Sequence, residues 1–178
     1  MNYFQLDSED QTPETAIHVM VARLKERFPK IDAVALEAAM MLELAHSALA
    51  DMRMIYWSQF GLTGKRFALL RLLYLAERNL TIGEIASGLK VGTNNISQLI
   101  DAAVRDGLVE RVAAEDDRRV VYAVLTQQGK ELFENVFPRN AQRVQAAWSP
   151  LTDGEKKLLT DFMARLYDQY LRAPEGAG

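Results

Sequence analysis

A chain of 178 residues, 49% apolar and 25% charged, has the balance of an ordinary globular protein, which excludes disorder except at the ends. It contains no cysteine, so disulfides, thiolate metal sites and thiol redox switches are excluded. Its net charge of −3 lacks the basic excess by which many nucleic-acid binders are recognised.

The opening "MNYFQLDSEDQT" carries acids and no basic-then-apolar leader pattern, and we read it as a loose end. "TPETAIHVMVARLKERF" follows, with Ile17, Met20, Val21, Leu24 and Phe28 at helical spacing, Thr12 as cap and Pro13 in the first turn. Residues 32–60, "DAVALEAAMMLELAHSALADMRMIYWSQF", are rich in Ala, Leu, Met and Glu and predict one long helix. Its span of about 40 Å exceeds what a small core covers, so part of it is expected to pack on a second subunit. "GLT" breaks this helix and "GKRFALLRLLYLAERN" predicts a third. The richest apolar run, "FALLRLLYLA", is short and carries Arg71. No run is read as long enough to cross a bilayer, and a cytoplasmic protein with no membrane partner is expected.

The next elements are compact. In "LTIGEIASGL" Thr81 and Glu84 have capping-box spacing, and Ile82, Ile85, Ala86 and Leu89 share one face. After the short turn "KVG", "TNNISQLIDAAVRDG" predicts a helix with Ile96, Leu99, Ile100, Ala103 and Val104 inward and Gly107 at its end. Two helices joined by a tight turn, the second polar outside, read as a helix-turn-helix. "LVERVAA" and "VVYAVLT" then predict a hairpin whose tip, "EDDRR", crowds three acids against two arginines. The remaining third is helical, with Pro138 expected to bend or interrupt the first helix and Thr152 and Glu155 repeating the capping-box spacing. The tail "APEGAG" is expected to fray.

The stretch "LTIGEIASGLKVGTNNISQLIDAAVRDGLVERVAAEDDRRVVYAVLTQQGKELFENV" resembles the winged-helix region of MarR-family transcriptional regulators. The features that carry the resemblance are the "LT..E.A..L.V" entry, the "LID...RDGLVER" exit, and the "DDRR" wing followed by "LT..G". It extends over about 32–172, leaving 1–31 as an N-terminal extension with one amphipathic helix and 173–178 as a disordered tail. The fold it implies is mainly α with a small β-hairpin wing. The winged helix-turn-helix covers about 62–126, between dimerisation helices at about 32–60 and 127–172. It further implies a homodimer on a pseudo-palindromic double-stranded DNA site, usually a repressor released by a small aromatic or phenolic ligand.

Site expectations follow. A hairpin tip with two arginines suits a minor groove, where negative potential attracts guanidinium; the plain alternative is a solvated turn. The resemblance puts Arg118 at the groove and makes Arg119, with Asp117, partly a pair that shapes the wing. On the recognition-type helix Thr93, Asn94, Asn95, Ser97 and Gln98 are candidate base or phosphate contacts, and Lys90 lies by the turn. Many relatives carry arginine around positions 93 and 98, so Thr93 and Gln98 depart from the pattern. Asp101 is read as pairing with a basic neighbour. Between Thr81 and Thr126, five basic residues face seven acidic ones, leaving −2. DNA binding must therefore rest on local placement, with help from helix N-terminal amides and from Lys65 and Arg66. A winged-helix protein-interaction module that has lost DNA binding is the alternative.

"MRMIYWSQF" offers Met54, Tyr56, Trp57 and Phe60 as walls for a flat apolar effector and Arg53 as an anchor for an acid group, with plain core packing as the competing reading. His18 and His46 are the only histidines, neither in a catalytic spacing, and "GLTGK" lacks the phosphate-loop pattern. No enzyme activity, no cofactor and no metal are expected.

Overall fold

The structure is a computed structural model that describes residues 12–172 except 91, 115, 116 and 118, and not the side chains of 13, 93, 94 and 172. The loose ends read at 1–11 and 173–178 lie outside the described residues. Its elements run α1 (Pro13–Arg27), α2 (Ala33–Ser58), α3 (Gly64–Leu75), β1 (Leu80–Thr81), α4 (Ile82–Leu89), α5 (Thr93–Arg105), β2 (Val109–Ala113), β3 (Val121–Leu125), α6 (Gln127–Ala147) and α7 (Asp153–Arg172). The chain divides into two compact units, Met1–Ala68 and Leu69–Gly178, with the division inside α3.

In the first unit the helices start where side chains can hold their free amides. The Thr12 hydroxyl accepts from the Thr15 N–H at 3.3 Å and the Asp32 carboxylate from the Ala35 N–H at 3.0 Å. Ala16, Ile17 and Val21 of α1 are buried, and α1 packs on α2. Phe28, expected on the same apolar face, is 53% exposed because it is the C-cap residue and has left the helical periodicity. At 26 residues, α2 is about 39 Å long. By length and composition alone it is able to cross a membrane, which corrects the expectation that no run here is long enough. Glu37, Glu43 and Asp51 break its apolar stretches, so uninterrupted runs understate a helix that stays apolar on average. Val34, Met52, Met54 and Ile55 on α2 are exposed.

The second unit is built around a three-stranded antiparallel sheet in the order β1-β3-β2. Residues 109–113 pair with 121–125, Val109 opposite Leu125 and Ala113 opposite Val121. The two-residue β1, with Leu80 opposite Ala123, is too short to leave an alternating pattern and had no sequence signal. Ile85, Ala86, Ile96, Ile100 and Ala103 form the buried seam of α4 and α5. Val104 is half turned out, at 36% exposure, since it is in the last turn of α5 where the buried face ends.

The α5–β2 corner and the start of α6 are locked together. Gly107 adopts φ +72, and its N–H bonds the Val104 carbonyl at 2.9 Å. The Thr126 hydroxyl donates to the Gly107 carbonyl at 2.6 Å and accepts from the Gly129 N–H at 3.0 Å. The Thr126 N–H donates to the Leu108 carbonyl at 3.2 Å. A Cβ on Gly129 would lie 2.1 Å from that carbonyl oxygen, so the glycine of "LT..G" is required by a close approach of backbones. Pro138 does not interrupt α6, which is continuous from Gln127 to Ala147. Buried Phe133 and Val136 hold the turn before it, and the proline removes one N–H from the helix. In α7, Glu155 closes a capping box with Thr152, accepting from its N–H and hydroxyl at 2.7 Å.

Candidate nucleic-acid interface and effector cavity

The recognition-type helix α5 begins after Gly92, which offers no side-chain cap. No side chain therefore closes its first turn, although the Asn95 N–H donates to the Gly92 carbonyl at 3.0 Å; a helix start without a side-chain cap is a site where a phosphate can be received. The sequence reading did not single out Gly92; the signal was a glycine directly before "TNN". Thr93 and Asn94 are in that first turn, and their side chains lie outside the described residues. Asn95 and Gln98 are exposed and Ser97 is half-buried. Asp101 accepts from the Arg111 guanidinium at 2.7 Å, which ties α5 to β2. Lys90 closes α4 in the left-handed conformation, φ 53. Its ammonium donates to the Tyr167 hydroxyl and lies 4.3 Å from that ring's centroid. Tyr167 is 77 residues away, and nothing in the sequence pointed to it.

At the wing, one carboxylate organises the tip. Asp117 Oδ1 accepts from the Arg119 backbone N–H at 2.9 Å and from its Nε at 3.1 Å, and Oδ2 accepts from Nη2 at 3.1 Å. The Arg119 side chain nevertheless remains 91% exposed. The Arg119 guanidinium first, and then its N–H, hold the Asp117 carboxyl below the usual carboxylate range. Two backbone bonds, Val120 N–H to Asp117 and Ala114 N–H to Val120, both at 2.9 Å, close the turn. Arg118 lies outside the described residues.

A second carboxylate fixes the start of α4. Glu84 accepts from Arg78 at 2.7 Å and from the Thr81 N–H at 2.8 Å. The Arg78 guanidinium, then the Thr81 N–H and hydroxyl, push its pKa down to about 2. A depressed carboxylate contributes stability that is complete above its unfolded pKa of 4.5 and is lost as pH falls through about 2. The Glu84 carboxyl is therefore expected to titrate near 2 by NMR and to move towards 4.5 in Arg78→Met. A midpoint near 4.5 in the unsubstituted protein contradicts this geometry.

In the first unit, a cavity of about 450 Å³ opens at the end of α2, lined by Arg53, Met54, Trp57 and Gly64 among others. Trp57 is 4% exposed, its ring stacked on Phe67 with centroids 4.1 Å apart. Tyr56 and Phe60 are not in the lining. Tyr56 meets Trp57 edge-on at 4.9 Å and Phe60 at 5.2 Å. His46 is also in the lining. Among the described residues no group of three or more His, Cys, Asp or Glu is placed to hold a metal.

Two helices, a tight turn and a following hairpin define a winged helix-turn-helix. The MarR-family model matches residues 60–120, the α3-to-wing segment. The chain is 31% identical over 115 residues to the HTH-type transcriptional regulator YkoM of Bacillus subtilis, covering 64% of this chain and 74% of that one. It is 28% identical over 145 residues to the HTH-type transcriptional repressor YetL of the same organism, covering 81% and 87%. In fold it is similar to MepR of Staphylococcus aureus crystallised with DNA, with TM-score 0.68, 20% identity, and coverage of 74% and 96%. The chain belongs to the MarR family of winged-helix transcriptional regulators.

Proposed function

We propose that this protein is a sequence-specific DNA-binding repressor that acts as a homodimer and releases its operator on binding a small organic effector. The observation that carries the reading is the juxtaposition in one unit of an uncapped, polar-faced α5 and a wing tip clamped by Asp117 and Arg119. Holding the tip in one conformation before binding reduces the entropy lost when arginines are ordered on DNA. Asn95, Ser97 and Gln98, with Thr93 and Asn94, face the major groove in this reading. Arg118 and Arg119 enter the minor groove, and Lys90 reaches a phosphate once it leaves Tyr167. The names of the relatives support it: YetL is a repressor, and MepR was crystallised with DNA. The apolar residues exposed on α2 and α7 supply the dimer surfaces, and the working compartment is the cytoplasm, where the DNA is. The effector, an aromatic or phenolic molecule, occupies the cavity beside Arg53 and Trp57.

Arg118→Ala is expected to weaken DNA binding several-fold or more at moderate salt without unfolding the protein, because it removes charge-assisted contacts to the DNA. Gln98→Ala is expected to cost about 1–3 kcal/mol only at the operator positions where it pairs with a base. Fluorescence anisotropy on a set of operator variants reads both effects. Equal loss on every sequence makes Gln98 a backbone contact, and unchanged affinity in Arg118→Ala removes Arg118 from the interface. One observation favours the other reading, a protein-interaction module: the −2 balance of 81–126 opposes long-range attraction to DNA.

A further inference from the structure

Lys90 stands where a glycine or asparagine ordinarily ends a helix. Its backbone is left-handed, φ 53 and ψ 44, a conformation that costs a residue with a Cβ and that glycine adopts freely. The turn gives no reason for a lysine here, so the reason lies in the ammonium. The uncapped start of α5 follows two residues later, at Gly92, and a phosphate received there would be within the neighbourhood of this side chain. In the single chain, however, the ammonium is occupied. It donates to the Tyr167 hydroxyl and stands over that ring, 4.3 Å from its centroid. Tyr167 belongs to α7, and no described side chain of α7 is buried in this chain. With Met163 and Leu171 it forms an exposed apolar row. A helix so little covered by its own chain, with an apolar face along its length, packs on a partner, and in a homodimer that partner is the second copy. A helix laid over Tyr167 would bury the ammonium that stands on its ring, which is costly for a charge without a carboxylate beside it. Covering the row and keeping the contact therefore exclude one another.

We propose that the clasp between Lys90 and Tyr167 belongs to the unpaired chain, and that pairing of two copies through α7 breaks it and frees both lysines for DNA phosphates. This rests on the homodimeric DNA-binding reading above and adds to it a coupling between assembly and DNA binding. A lone protomer holds its own lysine off DNA; the pair presents it. The coupling is reciprocal: a change that removes the clasp also favours pairing, because pairing no longer has to break it.

The test uses the full chain labelled at its N-terminus with a donor or an acceptor dye, mixed and then diluted without DNA, so that energy transfer reads the dimer dissociation constant. Lys90→Gly, which suits the left-handed turn, and Lys90→Asn, which tolerates it, remove the ammonium and leave α7 untouched. Each variant is expected to pair at least about threefold more tightly than the unsubstituted protein, since one clasp is lost in each protomer. General electrostatics predicts the opposite sign, because loss of a positive charge from a chain of net −3 increases repulsion between copies. Unchanged or weaker pairing in both variants, or an unsubstituted protein that stays monomeric, overturns the clasp. On DNA, the slope of log affinity against log salt is expected to lessen by about one for each protomer bound in Lys90→Gly, and an unchanged slope overturns the release to phosphate. DNA binding by the unsubstituted protein in the same buffers reports on the regulator reading alone. A protein that binds DNA while its Lys90 variants pair as before refutes the clasp and spares the regulator. Tighter pairing of the variants in a protein that ignores DNA keeps the clasp and refutes the regulator.

Discussion

Gly129→Ala is expected to destabilise the protein by about 3 kcal/mol, the upper part of the range for forcing extra atoms into a packed site. The methyl would stand 2.1 Å from the Leu108 carbonyl oxygen and 3.1 Å from Leu125 Cδ2. Backbone cannot rotate aside as a side chain does. The start of α6 must then move off β2, breaking the bonds from Thr126 to Gly107 and Leu108. In a chain of this size that corresponds to a melting temperature lower by roughly 6–12 °C. Gly83→Ala is the matched control: its Cβ would meet nothing within 4 Å, and alanine in a helix is expected to be neutral or stabilising by up to about 1 kcal/mol. Calorimetry on the two variants decides the matter. A shift below about 2 °C for Gly129→Ala refutes the close approach.

The second large effect concerns α7. Leu158, Phe162, Leu166 and Tyr170 recur every fourth residue and are 52%, 41%, 42% and 71% exposed. Met163, Tyr167 and Leu171 form the adjoining row, also exposed. Such a stripe along 20 residues is the face a partner helix covers. The double variant Phe162→Glu, Leu166→Glu is expected to convert a dimer at micromolar concentration into a monomer. Each position forfeits about 1.5 kcal/mol of burial and, in a two-fold interface, does so twice, for about 6 kcal/mol or four decades in Kd. Light scattering on both proteins reads this. An unsubstituted monomer, or a double variant that remains dimeric, contradicts it.

Local signals in the sequence carried most of the fold. The cap at Thr12 and the boxes at Thr81 and Thr152 each involve residues three apart, and all are formed; the cap at Asp32, with the same spacing, was not read. The hairpin could be read because its β-branched runs are five residues long on each side. β1 could not, because two residues show no alternation, and their role comes from pairing with β3, more than forty residues later in the chain. Phe28 and Val104 were misjudged for one reason: helical periodicity says which residues share a face but not where that face stops being covered. The site divides in the same way. The clamp between Asp117 and Arg119 is a contact across two residues, within the reach of sequence reasoning. The hold of Tyr167 on Lys90 and the meeting of Arg53 with Trp57 at Gly64 depend on three-dimensional packing. The motif "LT..G" was visible as a pattern, but its cause, a carbonyl 2.1 Å from an absent Cβ, exists only in the fold.

Whether this winged helix reads DNA sequence as a two-fold dimer is decided by selection from a pool of random duplexes. After several rounds, two inverted half-sites are expected to be enriched, with centres one helical turn apart, about 10–10.5 base pairs, or a multiple of that spacing. The selected duplex should bind at least about a thousandfold more tightly than unselected DNA at physiological salt. A pool that remains random in sequence, with selected and unselected duplexes bound equally at every salt concentration, would contradict it.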